Sequence, residues 1–263
     1  MTGVSKPRLP SALLHQPIAH RALHDRAAGR PENSRAGMRA AIDAGYAIEI
    51  DVQLSQDGQA MVFHDYDLAR LTGTPGPIQQ CGLAELAALP LVGGDGEGIP
   101  TLAEILALVA GRAPLLIELK DQHGQMGKTD GRLEHAVAQD MAGYGGAAAL
   151  MSFNPYMVIA LADLCPTIAR GIVTAAYDPQ DLEWGLLRAE TRDRLRAIPD
   201  YAAAGASFIS HEWRDLDRPR VAELKADGAD VLCWTIRCSS DEAVARKCAQ
   251  NVTFEGYCPA LPA

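Results

Sequence analysis

Short apolar runs alternate with longer stretches of mixed polarity along most of this chain. The runs at 17–21 (PIAHR), 47–54 (AIEIDVQL), 60–65 (AMVFHD), 114–120 (PLLIELK), 148–153 (AALMSF), 168–174 (IARGIVT), 206–211 (ASFISH) and 230–236 (DVLCWTI) predict strands. Helical periodicity fills the gaps, as at 32–45, 101–111 and 218–228, and several of these stretches end at glycine. Alternating strands and helices predict an α/β fold with a parallel sheet inside and helices outside. Eight strands in a chain of this length point to a closed (β/α)8 TIM-type barrel, for which ~250 residues is typical. An open doubly wound sheet is the alternative, but no G-x-G-x-x-G follows the first strand. The turn-rich stretch 72–98 reads as an insertion between strand and helix, within a single domain spanning 1–263. The stretch 178–200 reads as a second extension.

The strand at 47–54 contains two acids in an otherwise apolar run. Side chains alternate faces along a strand, so Glu49 and Asp51 share one face while Ile48, Ile50 and Val52 share the other. With the aliphatic face on the helices, both acids point into the barrel. The same parity in PLLIELK sets Glu118 and Lys120 on the inward face. Burying like charges together is unfavourable because they repel and lose solvation. A hard divalent cation, Mg²⁺ or Ca²⁺, turns that repulsion into binding, since it takes oxygen ligands. His20 and His64 each end an apolar run, which puts them at the same rim, where two imidazoles supply an acid and a base near neutral pH. Arg21 and Lys120 add positive charge suited to a phosphate. Each residue alone has a plainer explanation, such as a structural histidine or a surface ion pair. Their coincidence at strand ends with matching parity makes a site the joint explanation.

Composition narrows the partners. The chain has 263 residues and a formal charge of -9, from 24 basic and 33 acidic residues, with no dense basic run. A nucleic-acid partner is therefore not expected. The N-terminal segment is interrupted by prolines and reads as neither a secretory signal nor an anchor. No later stretch has the ~20 apolar residues of a membrane helix. The six cysteines include no C-x-x-C pair and read as free thiols in a reducing cytoplasm.

In order along the chain, IAHR (18–21), PENS (31–34), AGYAIEIDVQLSQDG (44–58), VFHD (62–65), IPTLAEIL (99–106), LIELK (116–120), MSFNP (151–155) and VLCWTI (231–236) resemble the glycerophosphodiester phosphodiesterases. The resemblance covers roughly the whole barrel, and it implies a TIM-type barrel with a small insertion after the third strand, about 66–98. It implies a cation held by Glu49, Asp51 and Glu118, an acid–base pair in His20 and His64, and phosphate contacts from Arg21 and Lys120. Trp234 matches an aromatic that lines the pocket. The implied reaction is hydrolysis of sn-glycero-3-phosphodiesters to glycerol 3-phosphate and an alcohol. Three departures border the pocket. Ala22 stands where the family usually has glycine, the loop before PENS is longer and brings His24 and Asp25 near the rim, and the chain ends NVTFEGYCP where a Thr-Asp pair is usual. Glu32 and Asn33 read equally as supports for the first histidine or as a helix start. Two alternatives are a lysophospholipase D-like enzyme acting on lipid diesters and a barrel that binds phosphate without cleaving it. A lipid enzyme needs an apolar entry, for which Trp184, Leu186 and Leu187 are the candidates. Because Leu186 lies off the face shared by the other two, the segment is expected to pack on the barrel, and small soluble diesters are the expected substrates.

Overall fold

The computed structural model describes residues 6–262. Eight parallel strands close on themselves: β1 (Ile18–Ala19), β2 (Ala47–Leu54), β4 (Leu115–Leu119), β5 (Ala148–Ser152), β6 (Ala169–Thr174), β7 (Phe208–Glu212), β8 (Asp230–Ile236) and β9 (Asn251–Phe254). β1 pairs with both β2 and β9, which joins the two edges and makes a (β/α)8 barrel. The ninth strand, β3 (Ala60–Val62), runs antiparallel to β2 and lies outside the barrel ring.

Two strand expectations therefore change. The run at 60–65 supplies the return arm of a hairpin, and the barrel's closing strand is 251–254, a run outside the eight predicted strands. The reason is connection length: only Ser55–Gln59 separate β2 from β3, whereas a parallel crossover needs a dozen residues or more.

Alternation sorts the core into layers. Ile48, Ile50 and Val52 pack outward with Leu102, Ile105 and Val109 of the helix Leu102–Val109. Ile18, Ala47, Leu116, Ala149, Val173 and Leu232 fill the barrel interior with Phe208. Gly171 on β6 makes room for that ring, since a Cβ there would sit 2.4 Å from it. The segment 66–98 carries a small core of its own, in which Leu68, Leu71, Ile78, Leu86 and Leu91 pack on Met61 and Phe63.

The predicted helices form with trimmed ends. Arg35–Ala44 starts at Ser34, whose Oγ accepts the Gly37 N–H at 3.0 Å, and stops at Gly45 with φ 77°. Leu102–Val109 starts in a capping box between Thr101 and Glu104. Among the described residues no helix is long and apolar enough to cross a membrane.

Candidate active site

All eight residues singled out from the sequence line one cavity of about 200 Å³ at the C-terminal rim of the barrel, the face where such barrels carry their chemistry. Glu49 and Asp51 come from β2, and Glu118 on β4 stands in register beside Asp51. All three are buried, and one oxygen from each lies within 4.8 Å of the others. Lys120, just past β4, places Nζ 2.8 Å from Glu118 Oε1 and 3.3 Å from Asp51 Oδ1. Burial alone would depress the Lys120 ammonium, but Glu118 and Asp51 reverse this and hold it charged. Burial raises the carboxyls of Glu49 and Glu118, Glu49 well above the ordinary range, with Asp51 adding repulsion at both. Asp51 is held low despite its burial, chiefly by Lys120.

Arg21 sits on the turn after β1. Its backbone N–H donates to Glu49 Oε2 at 2.8 Å, and its Nε lies 3.6 Å from Asp51. Arg21 and Ala22 both take positive φ, 52° and 66°. That conformation suits glycine and costs an alanine about 1 kcal/mol. It explains why glycine is usual where this chain has Ala22; the Ala22 N–H is tied to the Glu49 carbonyl at 3.0 Å.

Glu32 and Asn33 do more than start a helix, yet neither touches a histidine. Glu32 accepts from Arg21 Nη1 at 2.5 Å and also pairs with Arg70. Asn33 Nδ2 donates to Asp51 Oδ2 at 2.9 Å. They orient Arg21 and Asp51.

Each histidine is backed by a carboxylate. His20 Nδ1 is 2.6 Å from Glu255 Oε2, and His64 Nδ1 is 2.7 Å from Asp65 Oδ1. Among the described residues neither ring's Nε2 has a hydrogen-bond partner, which leaves it for a ligand. Burial lowers His20 to about 4, against the opposing pull of Glu255, with Arg21 adding to the shift. Burial and then Lys120 lower His64 as well.

Glu255 is the functional candidate that the sequence reading missed. It follows β9 and gathers His20, His24 at 3.6 Å and Arg237 at 2.6 Å. The signal was the closing strand itself: once NVTF is a barrel strand, the residue after it belongs to the rim. Asp25, expected near the rim, instead accepts from the N–H groups of Ala27 and Ala28 in its own exposed loop. Glu183, from the second extension, also lines the cavity.

The apolar wall is Met151, Phe153 and Trp234. Trp234 Nε1 donates to the Ser210 carbonyl at 3.1 Å, and its ring meets Phe153 edge-on at 5.5 Å. Of the three candidates for a lipid entry, Trp184 and Leu187 are buried as expected. Leu186 is not: it is 95% exposed.

The residues present fit a hard divalent cation. The donors are all oxygens, and Glu49 Oε1 is buried with no hydrogen-bond partner, a costly arrangement unless something positive meets it.

The family model described as "Glycerophosphoryl diester phosphodiesterase family" matches residues 20–253. A Bacillus subtilis relative is 28% identical over 227 residues, 83% of this chain and 85% of its own. The solved structure of an Oleispira antarctica phosphodiesterase, in complex with the product sn-glycerol-3-phosphate, is 27% identical with a TM-score of 0.74, covering 94% of this chain and 93% of that one. A glycerophosphodiester phosphodiesterase from Parabacteroides distasonis, 22% identical over 91% of this chain and 92% of its own, shares the fold with a TM-score of 0.70.

Proposed function

This chain belongs to the glycerophosphoryl diester phosphodiesterase family, and from that premise we propose that it hydrolyses sn-glycero-3-phosphodiesters to sn-glycerol 3-phosphate and an alcohol, using Mg²⁺ or Ca²⁺ at Glu49, Asp51 and Glu118. The observation that carries this reading is the trio of carboxylate oxygens within 4.8 Å, set in one cavity with two carboxylate-backed histidines. The product found in the Oleispira relative supports glycerol 3-phosphate as the half that this cavity holds.

When bound, the cation supplies Lewis-acid stabilisation of the negative charge that builds on the phosphate oxygens. Arg21 and Lys120 are fixed before substrate arrives, so they can meet the same charge without reorganising. A glycerol hydroxyl attacks phosphorus and displaces the alcohol, giving a cyclic phosphate that water then opens. In the first step one of His20 and His64 takes the hydroxyl proton and the other gives a proton to the leaving oxygen. In the second step the two exchange roles. Carboxylates on both Nδ1 atoms fix the tautomer that presents Nε2 to the substrate. Trp234 bounds the glycerol carbons.

One domain, the barrel with its insertion at about 66–98, carries this activity. A barrel that only binds phosphate has no use for two proton-transfer groups. All six cysteines are free, which supports a reducing, cytoplasmic setting.

The test is turnover of glycerophosphoethanolamine, with glycerol 3-phosphate measured after chelation and again after adding back one metal at a time. Chelation should abolish activity and Mg²⁺ or Ca²⁺ restore it. Full activity in chelator defeats the metal reading. No release of glycerol 3-phosphate under any condition defeats the reaction.

A further inference from the structure

The candidate catalytic cavity adjoins a larger one of about 610 Å³, within the ~300–1,000 Å³ range of small-ligand pockets. The two share His64, Glu118, Lys120, Phe153 and Glu183 at their junction. Three segments outside the barrel ring wall this groove. Tyr66 comes from the insertion, Met126 from the loop after β4, and Trp184, Leu186 and Leu187 from the extension after β6. Its floor is rigid: Trp184 packs between Phe153 at 4.9 Å and Tyr177 at 5.0 Å.

The mouth is apolar and open. Tyr66 is 46% exposed and Leu186 95%; Leu182, outside the lining but four positions before Leu186, is 96% exposed. Large apolar side chains left in water together mark a surface that meets an apolar ligand. Most charges along the groove are already occupied. Asp65 pairs with His64 and Arg70. Asp121 accepts from the N–H groups of Gln125 and Met126 and from Asn154. Asp67 accepts from the N–H groups of Ala69 and Gly76. Glu183 alone, at the junction, has a carboxylate with no hydrogen bond or ion pair among the described residues.

We propose that this groove is the subsite for the leaving alcohol, and that it selects uncharged alcohols with an extended apolar body, alkyl or aryl, over anionic ones. The proposal rests on the hydrolytic reading above. If glycerol 3-phosphate fills the smaller cavity, the groove across the five shared residues is the adjoining space for the rest of the diester. Apolar walls reward each buried methylene, and Glu183 repels a second negative charge.

The experiment is a series of soluble sn-glycero-3-phospho-n-alkanols from ethanol to octanol, read as kcat/KM with metal present. The expected result is a rise of up to about fourfold per added methylene over the first several carbons. An ω-carboxylated analogue of equal length should fall about tenfold or more below the alkanol, and Glu183→Gln should narrow that gap. Leu186→Ser, at an exposed position, and Met126→Ser should each flatten the series relative to wild type. A flat series with good turnover overturns the groove assignment and leaves the hydrolysis standing. A chain-length rise seen instead with short-chain lysophosphatidylcholines, whose chain is on the glycerol side, also overturns it. No turnover of any glycerophosphodiester defeats the hydrolytic reading, and the groove proposal with it.

Discussion

Glu49→Gln separates the cost of crowding three acids from the gain of binding a cation between them. At an effective dielectric of about 20, two unit charges 4.8 Å apart, the outer limit for these oxygens, repel by ~3.5 kcal/mol. Lys120 offsets this for Glu118 and Asp51, from 2.8 and 3.3 Å, and Arg21 helps at Asp51 from 3.6 Å. Glu49 is left with one N–H donor on Oε2 and none on its buried Oε1. Its carboxyl is accordingly raised well above the usual range, by burial first and then by Asp51 and Glu118. A neutral amide there should leave the metal-free protein as stable as wild type, or more stable by ~1–2 kcal/mol, because it removes a repulsion without emptying the space.

Metal reverses the order. A cation at a hundredfold excess over its Kd stabilises the native state by ~2.7 kcal/mol, or ~5–11 °C in Tm for a chain of this size. Calorimetric unfolding in chelator, then with Mg²⁺ or Ca²⁺ titrated in, reads both terms. Wild type should climb by that amount. Glu49→Gln should start level or higher and gain little. A wild type unmoved by millimolar Mg²⁺ and Ca²⁺ would refute the reasoning, as would a variant that responds as strongly or starts several degrees lower.

His20→Ala and His64→Ala should each lower kcat by ~10² to 10⁴ with little change in KM. Steady-state kinetics decide, and a near wild-type rate removes that histidine from the mechanism. Glu255→Gln should lower kcat by ~10-fold or more, because Glu255 orients His20 through Nδ1 at 2.6 Å. Since Glu255 raises the His20 pKa, its loss should also move the acid limb of the rate profile to lower pH, and an unmoved limb with unchanged kcat excludes the positioning role. The same histidine makes stability depend on pH. Burial holds it at about 4 against an ordinary 6.5, so between those values the unfolded chain binds more protons and stability rises with pH. The contribution is complete above 6.5, is lost as pH falls towards 4, and is at most ~3 kcal/mol. Denaturant midpoints in chelator should therefore fall more steeply from pH 7 to 4 in wild type than in His20→Gln, and parallel curves exclude this source.

The inward acids were legible because strand alternation is local: once 47–54 is a strand, the faces of Glu49 and Asp51 follow from the backbone alone, and PLLIELK repeats the rule at Glu118 and Lys120. The barrel was legible for a similar reason, since eight apolar runs were counted and eight strands close it. The roster was nevertheless wrong by one exchange, with 60–65 counted as a barrel strand and 251–254 left out. An apolar run of three or four residues looks the same in a hairpin arm and in a barrel strand. What distinguishes them is the connection, and SQDGQ (55–59), with Gly58 at φ 84°, is a hairpin loop and no crossover. That exchange hid Glu255, whose contact with His20 spans 235 residues and leaves no local trace in either segment. The exposed Leu186 escaped for a different reason. Facing was inferred from helical spacing, but 178–188 forms turns, where Trp184 and Leu187 are buried by aromatic and barrel packing while their neighbours at 182 and 186 are left in water. Periodicity predicts which side chains face inward only where the backbone repeats. The three clustered acids sit on repeating strands and were readable; the groove beside them is built from loops, and only the folded chain brings its walls together.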